Sequence, residues 1–283
     1  MRSPLITIEA LGHVATRQQI LSRGHTGGQI TAAVRRGRIR RVRRGWYASP
    51  TATPDQTEAV RIGGRLSHSS AARHYGLWGG LDRRVHLTVT RGASRLRPRG
   101  TAIVHWVAPG RQDLSSPSTW CVSLDECLRG MVRCASREDA IACLDTAISV
   151  YRLSRRRIHA VFAGEPARSR AIAAAARPGS ESGPESIARQ RLQALGLDVE
   201  QQVVIEGVGR VDLVLVGWLV VEIDGYEFHS GREPFERDRA RLAALVRRDH
   251  LGLQFSYRQV MFDWAMVEAT ILHALGVAKQ EDV

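Results

Sequence analysis

Two apolar runs toward the C-terminal end, residues 211–216 and 219–223, dominate the hydropathy pattern. Each is short, rich in valine and leucine and bounded by glycine, which predicts a pair of buried strands. Carboxylates break the pattern: Asp212 inside the first run, Glu222 inside the second, and Asp224 just after it. An ionised carboxylate in an apolar strand is costly unless a cation or hydrogen-bond donors offset it. Hard oxygen ligands are what Mg2+ takes. A three-residue loop, Val216, Gly217 and Trp218, places Asp212 opposite Glu222 with both side chains on one face. A two-residue loop would send them to opposite faces.

Around this hairpin the pattern predicts a helix over 185–195, opened by Glu185 and preceded by a linker at 179–184. A strand at 203–205 comes before the hairpin. After it come a helix at 234–246, a strand at 253–257 and one last helix from about 259 to 275. The order is α-β-β-β-α-β-α.

At the other end, residues 8–48 read as a small winged helix-turn-helix. A first helix begins at 8–11, Thr16 caps a second at 17–21, and Thr26 caps a third at 27–36. A two-stranded wing follows over 38–47. Ile39, Val42 and Trp46 point inward there, and Arg40, Arg41, Arg43 and Arg44 stay solvated.

Residues 51–58 read as a polar linker. A middle region follows, with a helix at 66–74, strands at 85–89 and 102–107, and helices over 118–160. It is assigned to packing, with no chemistry. His68 and His74 lack a metal partner at a recognisable spacing and read as structural. Cys121, Cys127, Cys134 and Cys143 read as small packing residues. The expected class is mixed α/β in three parts: a winged helix-turn-helix over 1–52, a middle α+β domain over 60–175, and an αβββαβ core over 180–278.

Charge sharpens this division. The net charge is +13, with +19 over residues 1–179 and −6 over 180–283. A polyanionic partner is expected, gripped by the front of the chain. Seven arginines lie between Arg35 and Arg44. In such a domain the third helix enters the major groove and the wing follows the phosphates. Thr31, Arg35, Arg36, Arg38, Arg40, Arg41, Arg43 and Arg44 are therefore the expected contacts to double-stranded DNA. No apolar run reaches the roughly 18 residues of a membrane helix, and the first residues lack the apolar core of a signal peptide. A cytoplasmic protein with no membrane partner is expected.

Two resemblances add to this reading. A hairpin carrying D and then E-x-D resembles the core of the PD-(D/E)xK nucleases. The run Asp224-Gly225-Tyr226-Glu227-Phe228-His229 is similar to the H-G-C-F-W-H run of the Vsr-like branch. Asp224 stands at that branch's histidine, where most of these nucleases have a lysine, and His229 stands at its distal histidine. The resemblance implies a restriction-endonuclease-like fold and Mg2+ or Mn2+ held by Asp212, Glu222 and the Ile223 carbonyl. It also implies a supporting role for Glu185, with His229 or Asp224 as general base. The charged residues Arg237, Asp238, Arg239 and Arg241 resemble a helix those relatives carry. The stretch HVATRQQILSRGHTGGQITAAVRRGRIRRVRRGWYA resembles the N-terminal domain of AbiEi-type antitoxins, which implies DNA binding through residues 35–44. A regulator with a non-cleaving nuclease fold, and with a toxin as partner, is the alternative to a DNA endonuclease.

Overall fold

The computed structural model describes residues 3–108, 118–224 and 232–276, with side chains in the segment after Asp224 given from residue 239 onward. The fold is mixed α/β. It divides into two compact units, one of Met1–Ser136 with His159–Ala171 and the other of Arg137–Ile158 with Ile172–Val283.

The first unit opens with α1 (Pro4–Ala10), β1 (Val14–Thr16), α2 (Arg17–Ser22) and α3 (Gly27–Arg35), followed by β2 (Arg40–Arg43) and β3 (Trp46–Ala48). Thr16 and Thr26 each close a capping box with a glutamine three residues on, Gln19 and Gln29. Two orphan helix-end donors are thereby satisfied at each start. Ile8, Ala15, Ile20, Ile30, Ala33 and Ile39 form one small core. The wing is therefore a sheet of three strands, ordered β1-β3-β2, not two. The addition is β1, whose three residues are too short to show a period.

Residues 51–58 are not a linker. Thr53 caps α4 (Pro54–Ile62) and closes a box with Gln56, while Ala59, Val60 and Ile62 are buried. Pro54 sits at the first helical position, where its missing N–H costs nothing. Then come β4 (Arg65–Leu66), α5 (His68–His74), β5 (His86–Thr90), β6 (Ile103–Val107) and α6 (Leu124–Cys134). The strands form a sheet ordered β4-β5-β6, with β5 parallel to β6.

The helix α7 (Arg137–Tyr151) belongs to the second unit. It is buried on every side from Ala140 to Ile148. After α8 (Arg155–Phe162) and α9 (Ala167–Ala175), the second unit continues with α10 (Gly183–Ala194). The expected linker at 179–184 is built into this unit. Ser180 is fully buried and accepts from the Gln201 amide at 2.7 Å, and Ser182 caps α10.

The core then runs β7 (Val199–Ile205), β8 (Gly209–Leu215), β9 (Leu219–Asp224), α11 (Arg232–Val246) and β10 (Leu251–Ser256). Two helices, α12 (Tyr257–Phe262) and α13 (Trp264–Ala274), stand where one was expected. They are broken at Asp263, whose backbone leaves the helical region. Sheet order is β10-β9-β8-β7, with β10 parallel to β9 and the other pairs antiparallel. Ala188 and Leu192 of α10, Val260 of α12, and Val267 and Ile271 of α13 pack on Leu213, Leu215, Leu219, Val221 and Ile223. Leu245 of α11 packs with Val214 and Val220. The hairpin at the centre is thus apolar on both faces. Any charge it carries must find partners at its ends.

Candidate functional site

The hairpin loop has the expected three residues. β8 ends at Leu215 and β9 begins at Leu219, and Trp218 N–H closes the turn on Leu215 O at 3.2 Å. Val216 and Gly217 both take positive φ, +51° and +78°. The pairing Leu215↔Leu219, Val214↔Val220, Leu213↔Val221 points Asp212 at Glu222, as the loop length requires. The ladder stops there. Asp212 Oδ2 accepts the Ile223 N–H at 2.9 Å, so a side chain takes over where backbone pairing ends. The two strands part at the acidic pair.

A third acid joins them. Glu185, in the first turn of α10, is 7% exposed. Its Oε2 accepts from Glu181 N–H at 2.8 Å and from the Gln202 amide at 3.3 Å. The same amide donates to Asp212 Oδ1 at 3.4 Å. Gln202 therefore bridges two carboxylates. It holds this position with a φ of +53° in mid-strand, in a region that β-strand residues rarely visit. Its Oε1 is buried and without a hydrogen-bond partner among the described residues.

Glu222 has a cationic partner. Arg241 of α11 donates to Glu222 Oε1 at 2.5 Å and also reaches the Arg210 carbonyl. Asp224, at the exposed end of β9, accepts from Gln254 at 2.9 Å and stands at the rim. His229 lies outside the described residues, as do the side chains of Arg237 and Asp238. The oxygens of Glu185, Asp212 and Glu222 are not gathered within 4.8 Å of one another.

Electrostatics tie the three acids together. Burial raises each carboxyl above its ordinary pKa. Asp212 raises both Glu185 and Glu222 further, while Arg241 opposes the rise at Glu222 and at Asp212. Like charges held together in a half-dry setting are what a cation or a shared proton relieves. The pH consequence has a definite sign. Between the ordinary carboxylate range and the raised values, the folded chain holds protons that the unfolded chain has released. Stability must fall as pH rises through that window. Glu185→Gln keeps an acceptor for Glu181 N–H and removes one charge. It is expected to raise the melting midpoint at pH 8 and leave it nearly unchanged at pH 4. A midpoint lowered equally at both values would show that Glu185 is held there for packing alone.

In the first unit, Thr31, Arg35, Arg36, Arg38, Arg40, Arg41 and Arg44 are all exposed. Arg43 is the exception to the solvated set: it is half-buried and donates to the Val60 carbonyl at 3.4 Å. The bulge between Arg41 and Arg43 accounts for its turning inward. Sequence reading missed Gln202 altogether, since a lone glutamine in a strand carries no signal. Arg241 was read only as one of a charged helical set. Compared with models of known protein families and with curated proteins, the sequence finds no match in either.

Proposed function

We propose that the chain is a double-stranded DNA-binding protein whose second unit is a metal-dependent phosphodiester hydrolase of the Vsr-like PD-(D/E)xK kind. The observation that carries this reading is the parting of β8 and β9 at Asp212 and Glu222, with the nearly buried Glu185 linked to Asp212 through Gln202. The donor set suits Mg2+ or Mn2+: carboxylate oxygens, the Ile223 carbonyl and a buried amide oxygen without a partner among the described residues. Held by Asp212 and Glu222, such an ion would supply a water of lowered pKa and steady charge on the leaving oxygen. Around it the chain's own groups have distinct tasks. Gln202 fixes the orientation of Asp212. Glu185 keeps the Gln202 amide in place. Arg241 offers a guanidinium where charge would develop on a phosphodiester. Asp224 or His229 would orient the water. The exposed arginines of α3 and the wing would hold the duplex that the acidic second unit cannot attract by itself.

One observation favours a second reading. Arg241 already neutralises Glu222, and the usual lysine is absent, so the site could persist as a structural remnant in an antitoxin-like regulator. Calorimetric titration with Mn2+ separates the two, using the chain and its Arg241→Ala variant. A hydrolase binds Mn2+ in both forms, more tightly in the variant because a competing cation is gone. A remnant shows no saturable Mn2+ heat in either form.

A further inference from the structure

We propose that the first unit carries a second, chemically different metal site: His68, His105 and Cys134 bind a Zn2+-class cation. One ligand atom from each lies within 4.8 Å of the others. Tetrahedral zinc with nitrogen and thiolate ligands needs donor separations of about 3.3–3.7 Å. Cys134 Sγ and His105 Nδ1, 3.9 Å apart, are already close to that separation. The ligands come from three elements, the start of α5, the middle of β6 and the end of α6.

The backbone around them is arranged to bring the groups together. His68 sits at φ +48°, a conformation that costs energy and persists where surroundings impose it. Gly130 lets α6 approach the His68 ring, since a Cβ there would lie 3.0 Å from Cδ2. Cys134 follows one turn later. The His68 and His105 rings stack with centroids 3.5 Å apart.

Behind His105 stands a hydrogen-bonded relay that fixes its tautomer. Asp82 Oδ2 accepts from His86 Nε2–H at 3.2 Å. His86 Nδ1 then accepts from His105 Nε2–H at 3.1 Å. His105 Nδ1 is left with its lone pair directed at Cys134 Sγ, 3.9 Å away. Carboxylate-to-histidine support behind a ligand is what metal sites use to orient and strengthen it.

His68 is buried, His105 half-buried and Cys134 exposed, which gives an entry path and an open coordination position.

The test is Co2+ titration of the full chain, followed by absorbance. One equivalent is expected to give visible bands of tetrahedral Co2+ and a near-ultraviolet thiolate charge-transfer band. Cys134→Ser should abolish the charge-transfer band, and His105→Ala should weaken binding at least about 10-fold. Asp212→Ala should leave both unchanged, which keeps this site distinct from the acidic one. Cys121, Cys127 and Cys143 are buried, so alkylation by iodoacetamide reports Cys134 in the native chain. Stoichiometric Zn2+ should slow it about 10-fold. A charge-transfer band that survives Cys134→Ser, no band at all, or alkylation indifferent to Zn2+ would each overturn the proposal.

Discussion

Asp212→Ala is expected to remove Mg2+-dependent nicking of supercoiled plasmid, lowering the rate about 1000-fold, while retention of duplex DNA stays at the level of the unaltered chain. The size follows from the task assigned to this carboxylate. Charge stabilisation by a bound metal is worth several kcal/mol, and roughly 4 kcal/mol corresponds to three decades of rate. Asp212 is the residue on which the site converges. It takes the Ile223 N–H, receives the Gln202 amide and raises the pKa of both Glu185 and Glu222. DNA retention should not follow, because the exposed arginines of α3 and the wing belong to the other unit. That retention should weaken with salt, with a slope of about −0.9 for each phosphate neutralised. Nicking that continues unchanged in the variant would remove the hydrolase reading and leave the DNA-binding one standing.

Much of this site was legible in the sequence because it is local. The three-residue loop, the two continuous apolar runs along 211–223 and the facing of Asp212 and Glu222 all follow from spacing within one hairpin. The helices α2 and α3 are legible for the same reason, each opening on a threonine with a glutamine three residues later, whereas α1 spans Pro4–Ala10 behind Ser3 and not a start at 8–11. What escaped was non-local or lacked a period. β1 has three residues and gains its identity only by pairing with β3. The stretch 179–184 has the composition of a linker, yet Ser180 is buried because Gln201, twenty-one residues on, supplies its partner. From the sequence His68 reads as structural and Cys134 as a packing residue, and His105 carries no signal, since residues spaced 37 and 29 positions apart form no motif until a fold brings them together.

Breaking one buried ion pair of the second unit should have the largest effect on stability. Asp145 is fully buried in α7, and Arg189 of α10 is 3% exposed. Asp145 Oδ2 accepts from Arg189 at 2.7 Å and from Ser186 Oγ at 2.6 Å, and Oδ1 accepts from Arg177 N–H at 2.7 Å. Asp145→Ala leaves a buried guanidinium without its counter-charge, with only the Gln193 amide oxygen still accepting from it, which costs about 3–5 kcal/mol. Thermal or denaturant unfolding of the second unit should register that loss. Asp145→Leu with Arg189→Met together should recover most of it, since two apolar groups need no partner. Failure of the double variant to exceed the single one would mean that the Ser186 and Arg177 bonds, not the ion pair, carry the stability. The same pair bears on the acidic site, because Arg189 lies one helical turn from Glu185. Loosening α10 from α7 releases the helix start that holds Glu185 against Gln202. Asp145→Ala should therefore also weaken Mn2+ binding, although Asp145 touches none of the three acids. The double variant should restore both properties together. Restored stability without restored Mn2+ binding would separate the anchoring of α10 from the placing of Glu185.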